Sequence, residues 1–206
     1  MQAWSEYMTE RESVRGLVLA GGASRRMRQA DKALIDFHGH PLLAHVLERL
    51  RPQVDDIWLN VNRNQHRYEK FGLPLLGDQE ELAGRGPLAG IHAGLAFSAA
   101  QYPGWLLVCP CDSPFLPGNL SQRLLGAATE SGRRAAVAHD GHRLHPVFCL
   151  LHSDLLPELE VHLRNGPGSV HAWLESIEAT VVDFSDAPDE AFANINTPED
   201  LRELGD

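Results

Sequence analysis

From Val14 onward, apolar runs of strand length take turns with longer segments whose apolar residues recur on one helical side. That alternation leaves few folds open, because each intervening helix must lay its apolar side on a sheet face. The strand expectations are Val14 to Leu19, Ile57 to Val61, Leu75-Leu76, Trp105 to Cys109, Ala135 to Ala138, Pro146 to Leu151 and Ala179 to Phe184, with a short extended piece at Ala193 to Asn196. Helices are expected over Pro41 to Arg51, Asn64 to Phe71 (short), Pro87 to Gln101, Pro117 to Ser131 and Ser153 to Arg164. A last helix is opened by Thr197, Pro198 and Asp200 as cap, first-turn proline and third-position acid. Ser153 is the expected N-cap of its helix and Asn165-Gly166 the stop, while His139-Asp140-Gly141-His142 forms a turn. Gly90 and Gly94 thin one side of the Pro87 to Gln101 helix so that it can approach a neighbour closely. The fold class is therefore α/β, with a mostly parallel sheet and helices on both faces.

The 206 residues show no repeat, low-complexity tract or linker, which suits one domain over 14–206 preceded by a frayed tail over 1–13. A formal net charge of -10 opposes broad attraction to nucleic acid or anionic lipid, so neither is an expected partner. Cys109, Cys111 and Cys149 are too few and too irregular for a disulfide framework, and Cys-Pro-Cys lacks the spacer of a zinc knuckle. They suit buried thiols in a reducing compartment. No stretch has the form of a secretory signal or the length of apolar sequence that spans a bilayer, and a cytoplasmic location is expected.

Within this acidic chain, four of the 18 Lys and Arg fall between positions 25 and 32: Arg25, Arg26, Arg28 and Lys32. They follow the Val14 to Leu19 strand and the pair Gly21-Gly22. Glycine amides can donate to phosphate oxygens with no side chain in the way, and the cations add charge, which points to a nucleoside triphosphate site. The loop is neither a Walker A sequence nor a dinucleotide-binding fingerprint. Arg26 and Lys32 are the expected catalytic cations, stabilising charge on a phosphorus-bound oxygen; Arg28 suits a solvated surface position, and Asp31 a cap or a partner for an Arg.

Asp112 stands directly after the Trp105 to Cys109 strand, bracketed by Pro110 and Pro114. A carboxylate at a strand's carboxyl end is a place for magnesium to bridge triphosphate oxygens; an Asp before Ser-Pro also suits a simple turn, and the position alone leaves both readings open. Asn60 and Asp78 each end an apolar segment, where an amide and a carboxylate can read a base edge or ribose hydroxyls. Asn194 and Asn196 share one side of an extended segment. Among the 11 histidines His145 stands out only by its place before Pro146, where a structural role is the simpler reading. No Ser-His-Asp or Cys-His set is present.

Leu19-Ala20-Gly21-Gly22, Ser24 to Met27, Asp31-Lys32, Gly86-Pro87-Leu88-Ala89-Gly90, Pro110-Cys111-Asp112-Ser113-Pro114 and Asn194-Ile195-Asn196-Thr197-Pro198-Glu199, taken in order, resemble the molybdenum cofactor guanylyltransferase family. Its cytidylyl relatives tend to carry Leu-Ala-Ala-Gly in the first motif. The resemblance implies a single Rossmann-like nucleotidyltransferase domain that joins GMP from GTP to the phosphate of molybdenum-molybdopterin and releases pyrophosphate. It implies GTP contacts from Leu19, Ala20, Gly21, Lys32, Asn60 and Asp78, magnesium at Asp112, and Asn194 with Asn196 towards the pterin; Gly22 and Arg25 are added to the nucleotide-binding set by the loop reading above. Molybdenum insertion proteins and molybdoenzyme chaperones would be protein partners. The chain departs from the family pattern at Arg28 and Gln29, where glycine commonly follows the methionine. Two alternatives remain at this point: a related transferase using CTP or a sugar phosphate acceptor, and a noncatalytic nucleotide-binding cofactor carrier.

Overall fold

The computed structural model describes residues 12–21, 31–165 and 168–204. Seven strands form one sheet in the order β5-β4-β1-β6-β8-β7-β9: β1 (Val14–Leu19), β4 (Asp56–Asn60), β5 (Leu75–Leu76), β6 (Trp105–Pro110), β7 (Ala135–His139), β8 (Leu144–His152) and β9 (Thr180–Asp183). A two-stranded ribbon, β2 (Asp36–Phe37) with β3 (His40–Pro41), stands apart. All pairings in the main sheet are parallel except those of β8, which runs antiparallel to both neighbours.

Alternation along the strands sends successive side chains to opposite faces. On one face Val18, Leu107 and Cys109 pack with α1 (Leu42–Leu50) and α3 (Leu120–Ser131); on the other Leu17, Leu106 and Val108 pack with α2 (Pro87–Gln101), α4 (Leu156–Asn165) and α5 (Val170–Ser176). Helices α1 to α4 follow the sequence expectation, and α5 adds to the second layer. Helix α6 (Pro198–Glu203) closes the chain, and its N-cap Thr197 exchanges reciprocal bonds with Asp200.

Several boundaries differ from the sequence expectations for local reasons. Asn64 to Phe71 is two 3-10 turns, Gln65–Arg67 and Glu69–Phe71, rather than an α-helix, and Asn64 has a positive φ of 52°. The Pro117 helix begins only at Leu120, because a backbone bond from Leu120 N to Pro117 O closes a turn first. The buried Gln53 side chain then accepts from Ser121 N at 3.1 Å and donates to Pro117 O at 2.9 Å, capping α3 from a distant segment. Ser153 is not an N-cap: it is buried, its Oγ accepts from Gly104 N at 3.1 Å, and a 3-10 turn precedes α4. Helix α5 lies between the expected Asn165-Gly166 stop and the last long strand, in a segment where the sequence pattern predicts no helix. Its N-cap Ser169 accepts from Ala172 N, and Val170, Trp173 and Leu174 form its buried side.

Most of the expected tail, residues 1–11, lies outside the described residues. Its last two are fastened: Trp105 Nε1 donates to Glu12 Oε2 at 2.6 Å and Ser13 Oγ to Asp55 Oδ2 at 2.8 Å. Among the described residues no helix is long and apolar enough to cross a membrane.

Candidate active site

Strand order places the chemistry. The chain runs outward from β1 to β4 and β5, then returns on the other side of β1 as β6, so a crevice opens at the carboxyl ends of β1 and β6. Open α/β sheets bind ligands at such a reversal. Cys111 N donates to Leu19 O at 3.2 Å and Ala20 N to Asn60 O at 2.9 Å, tying three strand ends together beneath the crevice.

One half of the crevice is a polar cluster around Asp78. The buried Asn60 Nδ2 donates to Asp78 Oδ1 at 2.8 Å. Asn62 Nδ2 donates to Asp78 Oδ2 at 2.7 Å, and Asp78 N donates to Asn62 Oδ1 at 2.8 Å. Two glycines make room for these amides. A Cβ on Gly21 would lie 2.4 Å from Asn62 Nδ2, and one on Gly90, in the first turn of α2, only 2.5 Å from Asn60 Oδ1. Gly94, one turn on, lies against Leu17 in the same way, at 2.5 Å. The expected thin side of α2 is therefore real, and its neighbours are Asn60 and the side chains of β1.

The other half is built on Asp112, which is buried with its side chain 11% exposed. Lys32 Nζ sits 3.1 Å from Asp112 Oδ2 and also donates to Asn196 Oδ1. Three anchors hold this arrangement. Asp31 Oδ2 accepts from Asn64 Nδ2 and Arg67 Nη1, both at 3.0 Å, so Asp31 does pair with an Arg while fixing the segment that carries Lys32. Ile195 N donates to Asp112 O at 2.8 Å, and Ser113 Oγ to Asn194 Oδ1 at 2.7 Å, so the Asn194-Asn196 segment is laced to the Asp112 loop. Asn196 N in turn donates to Asp200 Oδ2 at 2.7 Å, a bond that holds the Asp200 carboxyl below the usual range.

Leu19, Ala20, Gly21, Lys32, Asn60, Asp78, Asp112, Asn194 and Asn196 therefore meet at one sheet edge. Gly22, Arg25, Arg26 and Arg28 lie outside the described residues. Asn62 joins the Asp78 cluster, and the sequence pattern did not single it out. The available signal was its spacing of two from Asn60, which keeps both amides on one side if the strand direction continues.

Other titratable groups serve the scaffold. Burial pushes the Cys109 thiol up to about 12 and raises Cys111 and Cys149 as well, so none is a thiolate nucleophile. His145, buried and stacked on Phe192 at 4.5 Å between ring centroids, hydrogen-bonds Asp140 at 2.7 Å. Burial lowers its pKa against the opposing pull of Asp140. It is a structural histidine.

Asp112 alone does not make a cation cage, and no group of three or more His, Cys, Asp or Glu among the described residues does either. Magnesium needs little from a protein when a triphosphate supplies the remaining oxygens. Asp112 suits that mode: Lys32 engages its Oδ2, and Oδ1 accepts no hydrogen bond among the described residues.

The chain matches the model of the MobA-like NTP transferase domain over residues 16–181. A protein of Shewanella loihica named molybdenum cofactor guanylyltransferase is 42% identical over 190 residues, which cover 92% of this chain and 94% of that one. The chain belongs to the molybdenum cofactor guanylyltransferase family. A Pasteurella multocida protein of the same name is 42% identical over 90% of this chain and 96% of its own length. Among solved structures, molybdopterin-guanine dinucleotide biosynthesis protein A from Archaeoglobus fulgidus superposes with a TM-score of 0.74 at 24% identity, over 93% of this chain and 96% of that chain, and speaks for the fold. This is a family of nucleotidyltransferases.

Proposed function

We propose that this enzyme transfers GMP from GTP to the terminal phosphate of molybdenum-molybdopterin, releasing pyrophosphate. The observation that most supports this is the Lys32-Asp112-Asn196 contact at the carboxyl end of β6, next to that of β1. It sets a cation, a carboxylate and an amide where a triphosphate would meet an anionic acceptor. The acceptor oxygen is already ionised, so the reaction needs no general base. Its barrier is anion repulsion and alignment of the attacking oxygen with the bond from the α phosphorus to the leaving pyrophosphate.

In this reading Leu19, Ala20, Gly21 and Gly22 contact the phosphates. Lys32, with Arg25 and Arg26, offsets their charge. Lys32 is already aimed into the crevice, because Asp112 and Asn196 hold its ammonium there. A magnesium ion bound by Asp112 and the triphosphate would withdraw charge from the α phosphorus and the pyrophosphate. Asn60 and Asp78 contact the nucleoside, while Asn194 and Asn196, laced to the Asp112 loop, face the pterin phosphate. The same reading makes the protein cytoplasmic, with molybdenum insertion proteins and molybdoenzyme chaperones as partners.

Thermal unfolding with each nucleotide tests the substrate. GTP with magnesium is expected to raise Tm more than CTP, ATP or UTP does, and stronger protection by CTP would remove the guanylyl assignment. Pyrophosphate release with GTP and molybdenum-molybdopterin together separates a transferase from a passive carrier, which would yield none.

A further inference from the structure

We propose that Asn62 is a positioning residue that sets Asp78 for nucleoside selection, an inference that rests on the assignment of Asp78 to the nucleoside. Asn62 lies just beyond β4 and is exposed, yet its side-chain amide closes a reciprocal pair with Asp78: Nδ2 to Oδ2 at 2.7 Å and Asp78 N to Oδ1 at 2.8 Å. Asn60 takes the other carboxylate oxygen at 2.8 Å. Each oxygen of Asp78 thus accepts from a different amide, and the plane of the carboxylate is fixed.

An ionised carboxylate offers about four lone-pair sites, so roughly one on each oxygen remains for a ligand. Two such acceptors side by side match a pair of adjacent donors. In a guanine nucleotide, that pair is the N1-H and N2-H edge of the base or the two ribose hydroxyls. With one amide lost, the carboxylate turns about its bond and the match has to be restored on binding, which costs affinity.

Asn62 also touches the phosphate loop, since a Cβ at Gly21 would stand 2.4 Å from its Nδ2. Main chain that would face the triphosphate and the carboxylate that would face the nucleoside are therefore packed against the same side chain. A purely structural role is a poor match for an exposed amide whose bonds among the described residues all go to one carboxyl-bearing residue.

The test is GTP binding by calorimetry on the full chain, for the wild type, Asn62→Ala, Asp78→Ala and the double variant. Each single variant is expected to weaken GTP about tenfold, or about 1.4 kcal/mol. The double variant is expected to be no weaker than Asp78→Ala, because Asn62 acts through that carboxylate. Asn62→Asp, which sets two carboxylates together, is expected to bind less tightly than Asn62→Ala. In turnover the loss is expected in KM rather than kcat.

Inosine triphosphate and 2′-deoxy-GTP separate the two donor pairs: the analogue lacking a donor used by Asp78 binds wild type more weakly and is indifferent to Asn62→Ala. Wild-type affinity in Asn62→Ala, or losses that multiply in the double variant, would overturn the proposal while leaving Asp78 in place. Wild-type affinity in Asp78→Ala would remove Asp78 from the site and this inference with it.

Discussion

Replacing Gly90 by alanine tests whether the crevice depends on how closely α2 approaches the sheet. In an exposed helix interior this change favours folding by about 1 kcal/mol. At Gly90 the added methyl carbon would lie 2.5 Å from Oδ1 and 2.9 Å from Cγ of Asn60, and 2.9 Å from Cδ2 of Leu19. Asn60 is buried, and its Nδ2 holds Asp78 and Leu76 O, so it cannot swing aside without losing those bonds.

Overpacking typically costs about 1–3 kcal/mol, and a hydrogen bond to a charged group contributes about 1.5–3 kcal/mol. Less the helical gain, these give an expected destabilisation of about 1.5–5 kcal/mol for Gly90→Ala, a fall in Tm of about 3–20 °C. Gly126 in α3 is the control: a Cβ added there would meet nothing within 4 Å, and the same change is expected to gain about 0.5–1 kcal/mol. The assay pairs denaturant unfolding with GTP titration, in which Gly90→Ala should bind about tenfold more weakly, a difference of about 1.4 kcal/mol. If Gly90→Ala instead gains stability as Gly126→Ala does and binds GTP like the wild type, Asn60 is not wedged between α2 and Asp78.

Asp112→Ala is expected to abolish transfer while the protein stays folded, at a stability cost of about 1–3 kcal/mol for leaving the half-buried Lys32 ammonium without that carboxylate; near-normal turnover would remove Asp112 as the magnesium ligand. Lys32→Ala should both weaken GTP binding and slow the chemistry, and unchanged kinetics would place Lys32 outside the reaction. His145 has a folded pKa below its unfolded value, so its neutral form is favoured in the fold. Its contribution is complete above the unfolded value near pH 6.5 and is lost as pH falls through that value towards the lower folded one. Urea unfolding between pH 7.5 and 5.5 is expected to show stability falling with pH, and His145→Gln to flatten that slope; an identical slope in the variant would assign the effect elsewhere.

Much of the site was legible because strand ends carry it. An apolar run followed by polar or glycine residues marks the sheet's carboxyl edge, and so Gly21, Asn60, Asp78 and Asp112 were found one by one from their own neighbours. Asn62 escaped because nothing in its local sequence separates it from the surrounding loop, and only the folded position of Asp78 gives it a partner. The short α5 was hidden for a similar reason: Asn165-Gly166 reads as a helix stop, while the helix that follows is stabilised by burying Trp173 and Leu174.

Local pattern determined the alternation of strands and helices, the two-faced sheet, the Pro87–Gln101 helix and the capped start of the last one, since each follows from periodicity and capping within a few residues. Tertiary structure alone decided that β8 would pair antiparallel with β6, that Gln53 would cap α3 and that Ser153 would bond Gly104 instead of capping a helix. It also brought Lys32 to Asp112 across 80 positions and to Asn196 across 164. Contacts at such separations form only after the sheet has ordered and the loops between have been closed, so no window of sequence contains them.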